Sequence, residues 1–107
     1  DQFFVNITRP NNLPFPQIFS PNGDNINDVF YMPMTKGLEN VDYLKIYDNW
    51  GGLLFEEQDL QPGDDSRGWR GIINGREAAI AVYIVEALVT LEDGSKITYV
   101  GDLTLIR

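Results

Sequence analysis

The stretch that decides the fold is residues 81–91, Ala-Val-Tyr-Ile-Val-Glu-Ala-Leu-Val-Thr-Leu. It is long enough for a helix, but its content of Val, Ile and Thr favours a strand. Glu92-Asp93-Gly94-Ser95 follows directly, and Asp-Gly is a strong hairpin signal. We therefore predict that residues 81–91 form a strand that returns through Lys96–Val100 and Leu103–Ile106, with Gly101 at a bulge or bend.

Apolar side chains occur on both faces of this strand between Val82 and Leu88. Such a pattern is typical of a strand in the middle of a sheet that is covered on both sides. We expect residues 81–91 to be central, with a loop or a partner over the outer face.

Further hairpins are predicted on the N-terminal side. Residues 41–47 alternate, with Leu44 and Ile46 on one face, and residues 49–52, Asn-Trp-Gly-Gly, turn the chain into a return strand at residues 53–56. Asn74-Gly75 marks a tight turn, and the acidic stretch 56–68 resembles a solvated loop.

About seven short strands with regular turns, and no amphipathic helix, predict an all-β, antiparallel β-sandwich. Residues 14–107 form this domain, and residues 1–13 are a linker, the tail of a preceding module, or a first strand. The residues expected in the core are Leu44, Ile46, Phe55, Tyr83, Val85, Leu103 and Leu105.

The composition narrows the function. The net charge of −8, from 16 acidic against 8 basic residues, argues against nucleic acid and anionic lipid as partners. No histidine or cysteine is present, which removes the usual catalytic triads, the commonest general base and the thiolate metal sites. No run of about 18 apolar residues occurs, so we expect no direct membrane insertion. We therefore predict a recognition domain and not an enzyme.

One loop, residues 21–28, concentrates oxygen ligands. Asn22, Asp24, Asn27 and Asp28 are candidate ligands for Ca²⁺, which takes six to eight oxygens from a flexible loop. The same side chains can instead cap the backbone of a tight turn without any ion. The spacing leaves both interpretations open.

The two tryptophans lie beside glycines, Trp50 before Gly51 and Trp69 after Gly68. Loop tryptophans can stack on sugar rings, but in this setting they more often close the end of a sandwich. We expect both to be buried plugs.

From about Leu13 to Arg107 the chain resembles the gliding motility-associated C-terminal domain, the type B C-terminal domain of type IX secretion cargo proteins. The order and spacing of several short motifs carry the resemblance. Asn25, Asn49, Arg70 and Ala81 depart from the usual pattern. The motifs are Phe19-x-Pro21-Asn22-Gly23-Asp24, Asn27-Asp28-x-Phe30, Leu44-x-Ile46-Tyr47-Asp48-x-Trp50-Gly51, Phe55-Glu56, Gly68-Trp69-x-Gly71, Gly75, Val82-Tyr83, Asp93-Gly94, Gly101 and Leu103-Thr104-Leu105-Ile106-Arg107.

The resemblance implies an immunoglobulin-like sandwich and a sorting role. Such a domain directs a larger surface protein or adhesin, its N-terminal cargo, through the periplasm and the type IX translocon. It is then retained at the cell surface, associated with the outer membrane. The implied partners are the translocon and a small outer-membrane barrel protein, with Leu105, Ile106 and Arg107 as candidate recognition residues.

Two other functions stay open at the level of sequence. The first is a calcium-dependent sandwich that binds carbohydrate or matrix through an exposed tryptophan. The second is an inert structural module of an adhesin stalk.

Overall fold

The computed structural model describes residues 6–8, 15–23 and 28–107. These residues form eight strands and no helix. The strands are β1 (Asn6–Thr8), β2 (Ile18–Phe19), β3 (Leu38–Tyr47), β4 (Leu53–Leu60), β5 (Ile72–Ile73), β6 (Arg76–Glu77), β7 (Ala81–Leu91) and β8 (Lys96–Leu105).

Six strands form the main sheet. Four of them run antiparallel in the order β8-β7-β3-β4, so β7 is central as predicted. Two short strands join the other edge of β8 in parallel, β1 at residues 97–99 and β2 at residues 104–105. The sheet is therefore mixed, and the described residues form eight strands against about seven expected. The predicted all-β fold is confirmed, and the architecture is consistent with an immunoglobulin-like sandwich.

The inner face of the main sheet carries the core. Alternate residues of β7 are buried, and β3 contributes Val41 and Leu44, which are three residues apart. Both can point inward because the register of β3 against β7 shifts between Val41 and Tyr43, at a bulge. The predicted core residues are buried, except Phe55, which is half-buried and packs against the core.

A layer rich in aromatic side chains covers this inner face. Phe15, Phe19 and Phe30 come from the segment that precedes β3, and Trp69 precedes β5. The ring centroids of Phe15 and Tyr99 are 4.6 Å apart, and those of Phe19 and Trp69 are 5.5 Å apart. The small β5–β6 hairpin turns at Asn74-Gly75, as predicted. The second layer is thus built mainly of loops and one hairpin.

Two predictions about strand ends are wrong. The stretch 56–68 is not all loop, because β4 continues to Leu60, whose buried side chain pairs opposite Val41. Gly101 is neither a bulge nor a bend. Strand β8 runs through Gly101, which pairs with Val85 without a shift in register. A Cβ atom on Gly101 would lie 2.7 Å from Cζ of Tyr99, so glycine is needed there for the close approach of the tyrosine side chain.

Candidate functional site

The loop around residues 21–28 is closed by one carboxylate. The backbone N–H groups of Asn22 and Gly23 donate to Oδ1 of Asp28 at 3.1 and 3.2 Å. Gly23 has φ +84°, a conformation that favours glycine. The capping role considered from the sequence is therefore present across the described part of this loop.

The calcium hypothesis stays a prediction. Of its four candidate ligands, Asp24 and Asn27 lie outside the described residues, and only Asn22 and Asp28 are placed. Within the described part of the chain, no group of three acidic, histidine or cysteine side chains could hold a metal ion.

The end of β8 is tied into the fold. Leu105 is fully buried, and the N–H of Ile106 donates to the carbonyl of Phe19 at 3.0 Å. The guanidinium of Arg107 donates to the carbonyl oxygens of Pro21 and Ala78. Of the three candidate recognition residues, Ile106 therefore offers an exposed apolar side chain, while Leu105 and Arg107 hold it in place.

The turn between β3 and β4 is organised by Asp48. Its Oδ1 accepts hydrogen bonds from the N–H groups of Trp50 and Gly52, at 2.9 and 2.8 Å. The N–H of Asp48 donates to the Gly52 carbonyl at 3.0 Å, and that of Gly51 to the Asp48 carbonyl at 3.1 Å. Four hydrogen bonds in five residues make a turn with a defined conformation.

The two tryptophans have opposite environments. Trp69 is 2 % exposed, and its Nε1–H donates to the carbonyl of Ile72 at 3.1 Å, so the predicted plug is confirmed. Trp50 is 92 % exposed, and its prediction as a plug is wrong. The reason is local: Asp48 folds the chain back immediately after β3, which places Trp50 at the tip of the turn.

These features share one end of the sheet. Both β3 and β8 run antiparallel to β7, so the turn after Tyr47 and the residues after Leu105 emerge on the same side. Arg107 and Asp48 both act electrostatically on the hydroxyl of Tyr83, whose pKa is raised by burial. We call this end of the sheet the β8 end, because β8 finishes there. It carries Trp50, Leu53, Ile106 and Arg107.

A polar cluster of two tyrosines and a glutamate lies on the outer face of the sheet. The hydroxyls of Tyr43 and Tyr47 donate to the two carboxylate oxygens of Glu86 at 3.0 and 2.9 Å. Burial and the neighbouring Glu86 raise the pKa of Tyr43 to about 12. The sequence predicted that a loop or a partner covers this face. Val82 and Val100 on it are exposed, so no loop among the described residues covers them.

The fold and these surfaces define an all-β domain, consistent with a β-sandwich, that presents an exposed tryptophan on an ordered turn. A family model described as CHU_C type IX secretion signal domain matches residues 13–105. Because this match spans most of the chain, the protein belongs to the family of type IX secretion signal domains. No curated protein matches the chain.

Family membership confirms the function expected from the resemblance. The domain is a sorting signal for the type IX secretion system, interacts with that system, and takes its cargo to the cell surface. The family is not an enzymatic one. In the described residues, no segment forms an apolar helix of the length needed to cross a membrane.

The sequence pointed to part of this site. The family motif Leu44–Gly51 contains Trp50, and this motif was the signal that could have marked the turn as functional. Its exposure could not be read from the residue types, since Trp69 also has glycine as a neighbour.

Proposed function

We propose that this domain is the C-terminal sorting signal of a larger surface protein or adhesin and acts by recognition, without catalysis. It is read in its folded form by the translocon and by a small outer-membrane barrel protein, and it keeps the cargo associated with the outer membrane. The observation that carries the proposal is the family match over residues 13–105.

Two features of the β8 end support a recognition role for Ile106 and Arg107. The exposed side chain of Ile106 lies beside a guanidinium that is fixed by two carbonyl oxygens. A fixed surface binds with a smaller loss of conformational entropy than a frayed terminus does. We propose that Ile106 and Arg107 contact the secretion machinery, and that the buried Leu105 positions them.

Retention at the outer membrane is tested with a reporter. The whole 107-residue chain is fused to the C-terminus of a periplasmic reporter in a host with a working type IX system. We expect the reporter to fractionate with the outer membrane, and deletion of the barrel protein to leave it in the periplasm. Release into the medium, or unchanged retention without the barrel protein, would contradict this part of the proposal.

A further inference from the structure

We propose that Trp50 is the anchor with which the folded domain docks onto its partner protein, and that the partner offers an apolar pocket for one indole, rimmed by basic side chains. The inference deepens the proposed function and rests on it, because the partner is a component of the secretion machinery.

The exposure of Trp50 is the first observation. An indole that is 92 % exposed buries almost no apolar surface, so it contributes little to folding. Tryptophan is enriched among the residues that dominate the binding energy of protein interfaces. Leu53, the first residue of β4, is also exposed and pairs with Tyr47, so a second apolar side chain is exposed at this end of the sheet.

The second observation is how firmly the backbone that carries the indole is held. The Asp48 carboxylate accepts hydrogen bonds from two N–H groups of the turn, those of Trp50 and Gly52. A Cβ atom on Gly52 would lie 2.9 Å from Oδ2 of Asp48, so glycine leaves room for that carboxylate. Gly51 has φ +86°. A turn held in this way loses little entropy on binding, which favours a role as a docking anchor.

Charge decides the kind of partner. The chain carries a net charge of −8. Exposed Asp102 lies toward the same end of the sheet as Trp50. Glu77 lies 3.9 Å from the guanidinium of Arg107 and offsets its positive charge there. A partner with basic residues around its pocket complements this surface and associates faster. Anionic lipid would be repelled. We therefore assign the indole to a protein pocket and not to a membrane surface.

The test compares Trp50→Ala with Met34→Ala, both in the whole 107-residue chain fused to a periplasmic reporter. Met34 is a matched control, because it is 80 % exposed and lies in the segment that leads into β3, at the opposite end of the sheet. We expect Trp50→Ala to lower the amount of reporter at the surface by about tenfold or more, the effect of losing one interface anchor. We expect Met34→Ala to be exported like the wild type.

Both variants should remain folded, which thermal melts of the purified chains verify. A photo-crosslinking amino acid at position 53, where the side chain is exposed, provides a second measurement that keeps Trp50 in place. We expect it to crosslink to a component of the type IX machinery, and the same group at position 34 to give no such crosslink.

The outcomes separate the inference from the proposed function. If the wild-type fusion stays in the periplasm, the proposed function fails. If wild type and Trp50→Ala reach the surface equally, the function stands and the anchor is wrong. A wild-type dimer that Trp50→Ala converts to monomer in analytical ultracentrifugation would assign the indole to a second copy and overturn the inference. Binding of the wild type, but not Trp50→Ala, to phosphatidylglycerol vesicles or to a soluble oligosaccharide would overturn it as well.

Discussion

Asp48 and Trp50 are joined by a hydrogen bond in which the backbone N–H of Trp50 donates to Oδ1 of Asp48 at 2.9 Å. The same oxygen accepts the N–H of Gly52 at 2.8 Å. One carboxylate thus closes the turn that carries the most exposed aromatic residue of the described chain. The turn is therefore held by hydrogen bonds within residues 48–52, two of them to this side chain.

The first prediction follows from these bonds. Asp48→Ala removes the oxygen that accepts both hydrogen bonds, from Trp50 and Gly52, and should lower the free energy of unfolding by about 1–2 kcal/mol. Asp48→Asn keeps one carbonyl oxygen and should lower it less. Urea unfolding of the three purified chains measures the difference. Equal stability of Asp48→Ala and wild type would show that the carboxylate does not hold the turn.

The second prediction concerns acid. Burial alone would raise the pKa of Asp42, but hydrogen bonds from Lys96, Thr90 and Asn40 outweigh it and lower the pKa below the ordinary value of 3.8. A folded-state pKa below the unfolded one means that this stabilisation is complete above about pH 4 and is lost as the pH falls through the folded-state value.

We therefore expect Asp42→Asn to flatten the decline of stability below pH 4, measured by urea unfolding at several pH values. Lys96→Met, which removes the cationic donor, should flatten it in the same direction. Some decline should persist, since hydrogen bonds from Ser66 and Ser95 lower the pKa of Asp64 and Asp93. Identical pH profiles for wild type and both variants would refute the assignment to Asp42.

The third prediction concerns the loop that Asp28 closes. Asp28→Ala removes the acceptor for the N–H groups of Asn22 and Gly23 and should cost about 1 kcal/mol, the scale of a lost cap. Calcium has a separate test. If it binds only the folded state, the melting temperature must rise with calcium concentration. Superimposable melts with millimolar calcium and with chelator would leave the capping role alone.

The fourth prediction concerns the last strand. A short hydrophilic extension after Arg107 leaves the buried Leu105 and the hydrogen bonds of Arg107 in place, so the melting temperature should stay nearly unchanged. If the machinery reads Ile106 and Arg107, export of the folded, extended chain should fall. Normal export would place recognition elsewhere on the domain and would argue against these two residues.

Local signals in the sequence predicted much of the fold. The β7–β8 and β5–β6 hairpins follow from Asp93-Gly94 and Asn74-Gly75, because a tight turn places two neighbouring strands side by side. The buried faces of β7 and β8 follow from alternation, which depends only on the two-residue period of a strand.

Non-local features were out of reach. The parallel pairing of β2 with β8 joins residues 18–19 to residues 104–105, and no short-range pattern encodes it. The bulge near Asp42 breaks the alternation of β3, so Val41 and Leu44 share a face. Trp50 and Trp69 differ in exposure because of the elements around them. The residue types alone therefore do not show that the β3–β4 turn carries an exposed tryptophan.

The central claim is that the folded domain carries the export signal. The most direct measurement is the fraction of a periplasmic reporter that becomes accessible to protease on intact cells when the whole chain is fused to its C-terminus. We predict that the reporter is accessible in a host with a working type IX translocon and protected in the same host without it. A reporter that stays protected although the domain is folded, or that becomes accessible without the translocon, would contradict the claim.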